Sequence, residues 1–170
     1  MEYYLSTLDA ATAIEAPLVM YAINPIGFGI DREYLKRQVV EDLKRLSDRA
    51  AQLNQKIILE PVTPFEGKLC VSSDDCKYYL DEVDNDALEI CLDLAAPFTC
   101  GEPIAEYWEK MPGKVREIHF VDCTADCEDH LIPGDGEMDW PRIVDYLKSV
   151  EYDGYLALEL FSRYGNEPDF

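Results

Sequence analysis

Ile57-Ile58-Leu59-Glu60-Pro61 is an apolar run that closes on a carboxylate and is cut off by proline. Three more stretches repeat the pattern: Ile90-Cys91-Leu92-Asp93, Glu117-Ile118-His119-Phe120 and Leu156-Ala157-Leu158-Glu159. Each reads as a buried strand, a short apolar run bounded by polar or turn-forming residues. Each holds, at or near its C-terminal end, one residue able to bind a metal: Glu60, Asp93, His119 and Glu159. The segments between them are long enough for helical crossovers. Parallel strands joined in this way collect their functional residues at the strand C-termini. Two Glu, one Asp and one His gathered there make a nitrogen/oxygen site for a divalent metal.

Working outward, Tyr3 to Ile14 has helical apolar spacing and is stopped by Pro17. Leu18 to Tyr21 is a short strand, followed by the Asn24–Gly29 loop, whose glycines lack the partners of a phosphate-binding fingerprint. Asp31 caps a long helix to about Leu53, with Leu35, Val39, Leu43 and Leu46 on one face. After the strand Ile57–Glu60, Pro61 and Pro64 impose a loop. Ser72 or Ser73 caps a helix from Asp74 to about Val83, and Leu88 to Leu94 is a strand. Pro97 to Gly101 reads as a loop, Glu102 to Met111 as a helix, and Val115 to Val121 as a strand. A long polar loop, Asp122 to Asp139, precedes a helix opened by Trp140-Pro141 and running to about Val150. Tyr155 to Leu160 is the last strand. Strictly alternating helices and strands predict a parallel sheet with right-handed crossovers.

The charge is lopsided: 15 Lys plus Arg against 35 Asp plus Glu, a net charge of −20. Binding to nucleic acid or to an anionic membrane surface needs local positive charge, and no basic cluster rises above this background. No apolar run reaches the roughly 20 residues of a membrane span. The N-terminal residues resemble no export signal, so the expected compartment is the cytoplasm. The six cysteines then read as thiols. Cys123, Cys127 and His130 could suggest a zinc knuckle, but they fall in the polar loop without a second cysteine pair, and a loop reading is preferred.

The runs His119-Phe120-Val121-Asp122, His130-Leu131-Ile132-Pro133-Gly134-Asp135-Gly136 and Tyr152-Asp153-Gly154-Tyr155-Leu156-Ala157-Leu158-Glu159, together with Leu59-Glu60-Pro61 and Asp93, resemble the sugar isomerases and epimerases of the xylose isomerase-like TIM-barrel superfamily. His130-x-Ile132-Pro133-Gly134 and Asn166-Glu167-Pro168 point within it to the fructoselysine 3-epimerases and related ketose 3-epimerases. The resemblance implies an α/β fold of (β/α)8 type that is incomplete: about five βα units, corresponding to strands 4–8, in a single partial domain over residues 1–170. On this reading the chain starts inside a helix and lacks the first third of a barrel. That would leave the first strand an open edge and the inner faces an apolar patch, so a homo-oligomer, or dependence on the missing segment, is expected.

The resemblance also implies chemistry. A divalent ion, Mn or Co in this family, would sit on Glu60, Asp93, His119 and Glu159. Glu60 and Glu159 would act as base and acid on opposite faces of C3 of a ketose or ketosamine. Glu66 would bind a substrate hydroxyl, and Asp122 could hold the second ring nitrogen of His119. Where some members carry His and Arg, this chain has Ala96 and Ala125, leaving His130 and Arg163 as replacements at the pocket rim. Rival readings are an aldose–ketose isomerase of the same superfamily and a truncated remnant that binds sugar without turning it over. An endonuclease of this fold is disfavoured by the charge and by only two histidines.

Overall fold

The computed structural model describes residues 2–23 and 31–160. Within them the chain forms α1 (Glu2–Ala13), β1 (Leu18–Ala22), α2 (Arg32–Gln52), β2 (Lys56–Glu60), α3 (Ser73–Val83), β3 (Leu88–Asp93), α4 (Ala95–Cys100), α5 (Ala105–Lys110), β4 (Val115–Phe120), β5 (Asp122–Thr124), β6 (Cys127–Leu131), α6 (Trp140–Ser149) and β7 (Tyr155–Leu158). Five strands make one sheet in the order β1-β2-β3-β4-β7, every pair parallel. Spatial order follows chain order, so each crossover adds its strand to the same edge. That is how a barrel grows, whereas a doubly wound sheet reverses.

Successive side chains along a strand point to opposite faces. Ile57 and Leu59 of β2, Leu88, Ile90 and Leu92 of β3, and Ile118 of β4 join one continuous core with Leu43, Leu46 and Ala50 of α2 and with Cys76, Tyr79 and Val83 of α3. Most of these are completely buried, each worth about 1.5–3 kcal/mol of transfer free energy for an Ile- or Leu-sized side chain. The helices stay in place because their ends are capped. Asp31 accepts from the Tyr34 N–H at 2.8 Å, Ser72 from the Asp75 N–H at 3.2 Å and Asp139 from the Arg142 N–H at 3.2 Å. Each such cap contributes about 1 kcal/mol.

The opposite face carries Ile58 and Glu60 of β2, Cys91 and Asp93 of β3, and His119 of β4. Register sets their heights: Asp93 lies beside His119, and His119 beside Ala157 of β7, two residues before Glu159. A bulge between Ile90 and Cys91 re-aims the end of β3. At the far end of this face, Glu89 is paired with Lys56 at 3.0 Å and with Arg116 at 2.6 Å.

Three segments depart from the sequence reading. Residues 95–100 are helix and not loop: Pro97 falls in the first turn, where a missing N–H costs nothing, and Gly101 ends the turn at φ 66°. The segment expected as one long polar loop contains the antiparallel β5–β6 hairpin. Of the sheet's strands, β7 exposes Tyr155, Leu156 and Leu158 by more than half and β1 exposes Met20, while Tyr3, Ile14, Tyr34 and Phe65 are exposed outside the sheet. Ile58 and Cys91, on the face expected to be open, are buried. No described helix is long and apolar enough to cross a membrane.

Candidate metal centre

Glu60 closes β2, Asp93 closes β3, His119 is the penultimate residue of β4, and Glu159 follows β7. Ligand atoms from all four lie within 4.8 Å of one another. His119 Nδ1 stands 2.8 Å from Glu60 Oε1 and 2.8 Å from Glu159 Oε2. Neither contact has hydrogen-bond alignment, and both His119 Nδ1 and Glu159 Oε2 are buried atoms without a hydrogen-bond partner. Such orphaned polar atoms are costly. One nitrogen and several carboxylate oxygens converging at these separations fit a single divalent cation.

The charge balance agrees. Burial would push the His119 imidazole down, but the Cys91 thiol and the Glu159 and Glu60 carboxylates more than offset it and hold the ring well above its ordinary value. Burial likewise drives Asp93 up, as do Glu60 and Glu159, while the Ala95 N–H, donating to Oδ1 at 2.7 Å, opposes it. Glu159 is pulled below its ordinary range by His119. The cluster therefore attracts positive charge, and an incoming cation would displace the imidazolium proton.

The expected rim residues divide. His130 lies against the cluster, its Nε2 3.6 Å from Asp93 Oδ2 and its Nδ1 3.7 Å from Glu159 Oε2, in a left-handed backbone conformation with φ 43°. Glu66 is positioned by its own loop. The Val62 N–H donates to the Cys70 carbonyl at 2.9 Å, closing the loop, and the Thr63 N–H donates to Glu66 Oε2 at 3.2 Å. Burial and then Glu128 push the Glu66 carboxyl up to about 7. Arg163 lies outside the described residues, as do the Asn24–Gly29 loop and Asn166-Glu167-Pro168.

Asp122 does not hold His119. Its Oδ1 accepts from the Cys123 and Met138 N–H groups at 2.9 and 3.2 Å, and its Oδ2 from Gly134 N and Trp140 Nε1 at 2.8 and 2.7 Å. It ties the hairpin to the start of α6, and these donors hold its carboxyl low against burial. His119 Nε2 faces Glu117 Oε1 at 3.6 Å. Cys127 is exposed while Cys123 is fully buried, and a Cys123–Cys127–His130 group is not among the metal-competent clusters of the described residues.

Glu128 belongs to the site although the strand-end pattern does not point to it. It accepts from Thr63 Oγ1 at 2.7 Å and meets His130 Nε2 at 3.2 Å, so it joins the β2 loop to β6. The signal was available: residues 128 and 130 share a face if 127–131 is read as a strand. Glu60, Glu66, Asp93, Glu128, His130 and Glu159 surround a cavity of about 50 Å³. That admits an ion with a water. Small-molecule pockets are about 300–1,000 Å³.

A parallel sheet that adds its strands at one edge in chain order, with carboxylates and a histidine gathered at the strand ends, is the arrangement of a TIM-type barrel. The whole chain, residues 1–170, matches the family described as xylose isomerase-like TIM barrel, and it belongs to that family. It is 29% identical over 161 residues to the fructoselysine 3-epimerase of Escherichia coli O157:H7, covering 95% of this chain and 58% of that protein. It is 22% identical over 148 residues to the D-psicose 3-epimerase of Enterocloster bolteae, covering 86% and 48%. The solved D-psicose 3-epimerase of Clostridium cellulolyticum H10 superposes with a TM-score of 0.84 at 20% identity, over 95% of this chain and 56% of that one. The chain thus spans about half the length of these relatives.

Proposed function

We propose that this chain carries the metal and acid–base residues of a sugar epimerase that inverts C3 of a ketose or a ketosamine of the fructoselysine–psicoselysine kind. The observation that carries the reading is the pair Glu60 and Glu159, which come from the ends of β2 and β7, with β3 and β4 between them, and each stand 2.8 Å from the same nitrogen of His119. Inverting a carbon next to a carbonyl requires a proton to leave one face and return to the other. Two carboxylates flanking a common point are suited to that exchange.

In this mechanism Glu60 and Glu159 serve opposite faces of C3. One removes the proton to give the planar enediolate, and the other supplies a proton from the far side. A divalent ion on Glu60, Asp93, His119 and Glu159, Mn2+ or Co2+, would act as a Lewis acid toward the sugar oxygens and stabilise the developing negative charge. Asp93 is kept in line by the Ala95 N–H. Glu66 would bind a substrate hydroxyl, and His130 and Arg163 would line the rim. The 50 Å³ cavity is too small for a sugar, so further walls would come from a longer polypeptide or from association of copies. We take residues 1–170 to act as one partial-barrel unit and place it in the cytoplasm, where its cysteines stay thiols.

The test is solvent exchange. Protein loaded with Mn2+ and incubated with psicose or fructoselysine in deuterated water should place deuterium at C3. Glu60→Gln and Glu159→Gln should each abolish epimerisation. Undiminished exchange on both faces in Glu159→Gln would remove the two-base assignment.

A further inference from the structure

Beneath the strand-end ring lies a second set of donors. Cys91 is two residues before Asp93 on the same face of β3, about 6.6 Å deeper along the strand, and it pairs in register with Glu117. It is completely buried. Its sulfur, one Glu60 oxygen and one His119 nitrogen lie within 4.8 Å of one another. His119 belongs to both levels: Nδ1 meets the upper carboxylates at 2.8 Å, and Nε2 points to Glu117 of the lower level at 3.6 Å. Its ring is more than nine-tenths buried, and its Nδ1 has no hydrogen-bond partner.

We propose that the cradle has two alternative metal positions, a hard one on Glu60, Asp93, His119 and Glu159 and a softer one on Glu60, Cys91 and His119 that takes Zn2+ or Cd2+. This rests on the strand ends being a metal cradle. Carboxylates suit hard ions such as Mn2+, whereas a thiolate selects softer ones. Binding at the lower position moves the Cys91 thiol proton to solvent and gives the sulfur electron pair to the ion. Because Glu60 and His119 serve both positions, the two are mutually exclusive. A soft ion therefore blocks the hard site from below and leaves Asp93 and Glu159 without a cation.

Cadmium titration tests this, because a cadmium–thiolate bond absorbs in the ultraviolet and a cadmium–carboxylate bond does not. One equivalent of Cd2+ should raise the thiolate band in the intact chain. Excess Mn2+ should reverse it. Cys91→Ser should abolish it, while Cys76→Ser and the double variant Cys100→Ser/Cys127→Ser keep it. For the unaltered protein, X-ray absorption of the Zn2+ form should show one sulfur at about 2.3 Å, which decides the matter even if Cys91→Ser folds poorly. A band that survives Cys91→Ser, or a zinc shell without sulfur, overturns the lower position. Paramagnetic-resonance titration with Mn2+ reports the upper site separately: its failure ends the epimerase metal assignment, whereas a Cys91-dependent band still establishes the lower position.

Discussion

Replacing Asp122 with alanine separates two roles that a carboxylate three residues after His119 could play. In the structure it is fully buried and accepts from four donors, two of them the N–H groups of the buried residues Cys123 and Met138. A buried donor left without an acceptor costs about 1–3 kcal/mol. These two buried N–H groups therefore give about 2–6 kcal/mol, and water entering the vacated space recovers part of any loss at Gly134 and Trp140. The expected destabilisation is about 3–5 kcal/mol. At about 2–4 °C per kcal/mol for a chain of this size, the melting temperature should fall by about 6–20 °C. Urea denaturation followed by circular dichroism measures the first quantity, and a thermal scan the second. The same protein, well below its melting point, should bind Mn2+ with unchanged affinity. Had Asp122 oriented His119, removing it would weaken metal binding by about 10–100-fold. A loss of stability below about 1 kcal/mol, or a tenfold weaker Mn2+ affinity in folded protein, refutes this account.

Gly136→Ala should damage the same knot, since a Cβ there would meet Asp122 Oδ1 at 2.2 Å and the Cys123 carbonyl at 2.7 Å; a melting temperature within about 1 °C of the parent would contradict it. Mn2+ at a hundredfold excess over its dissociation constant should stabilise the protein by about 2.7 kcal/mol, and Asp93→Asn, which keeps the acceptor for Ala95, should lose most of that shift in a thermal scan. Glu66, raised to about 7 from an ordinary 4.5, holds a proton in the folded state that the unfolded chain has released between those values. Its contribution is present below about 4.5 and is lost as pH rises through about 7. Glu66→Gln should flatten the decline of melting temperature across that interval, and an unchanged pH profile would show that the carboxyl titrates normally.

Much of the architecture was legible because local chemistry and tertiary environment agree. Ile57–Leu59 and Ile90–Leu92 are apolar throughout, as strands covered on both faces must be, and each is followed by the carboxylate that joins the strand-end cluster. Asp31 and Ser72 announced their helices because a cap is a contact within four residues. The hairpin at 122–131 was missed because its residues are polar or small and its pairing crosses a tight turn. Pro97 to Gly101 reads as a loop in the sequence because proline is a breaker everywhere but in the first turn of a helix, which is where Pro97 lies in α4.

By itself the sequence determined the five strands of the parallel sheet, their helical crossovers and the four strand-end residues, all of which follow from periodicity and local spacing. Only the tertiary structure decided how those side chains meet. Asp122 is drawn away by donors up to 18 positions further along, and Glu128 is carried to Thr63 from 65 positions away. Cys91 becomes a neighbour of His119 only because β3 and β4 pair with a bulge between Ile90 and Cys91. Such partners depend on the three-dimensional path of the chain, and the distances that select a hydrogen bond or a metal ligand are shorter than any spacing along the sequence can specify.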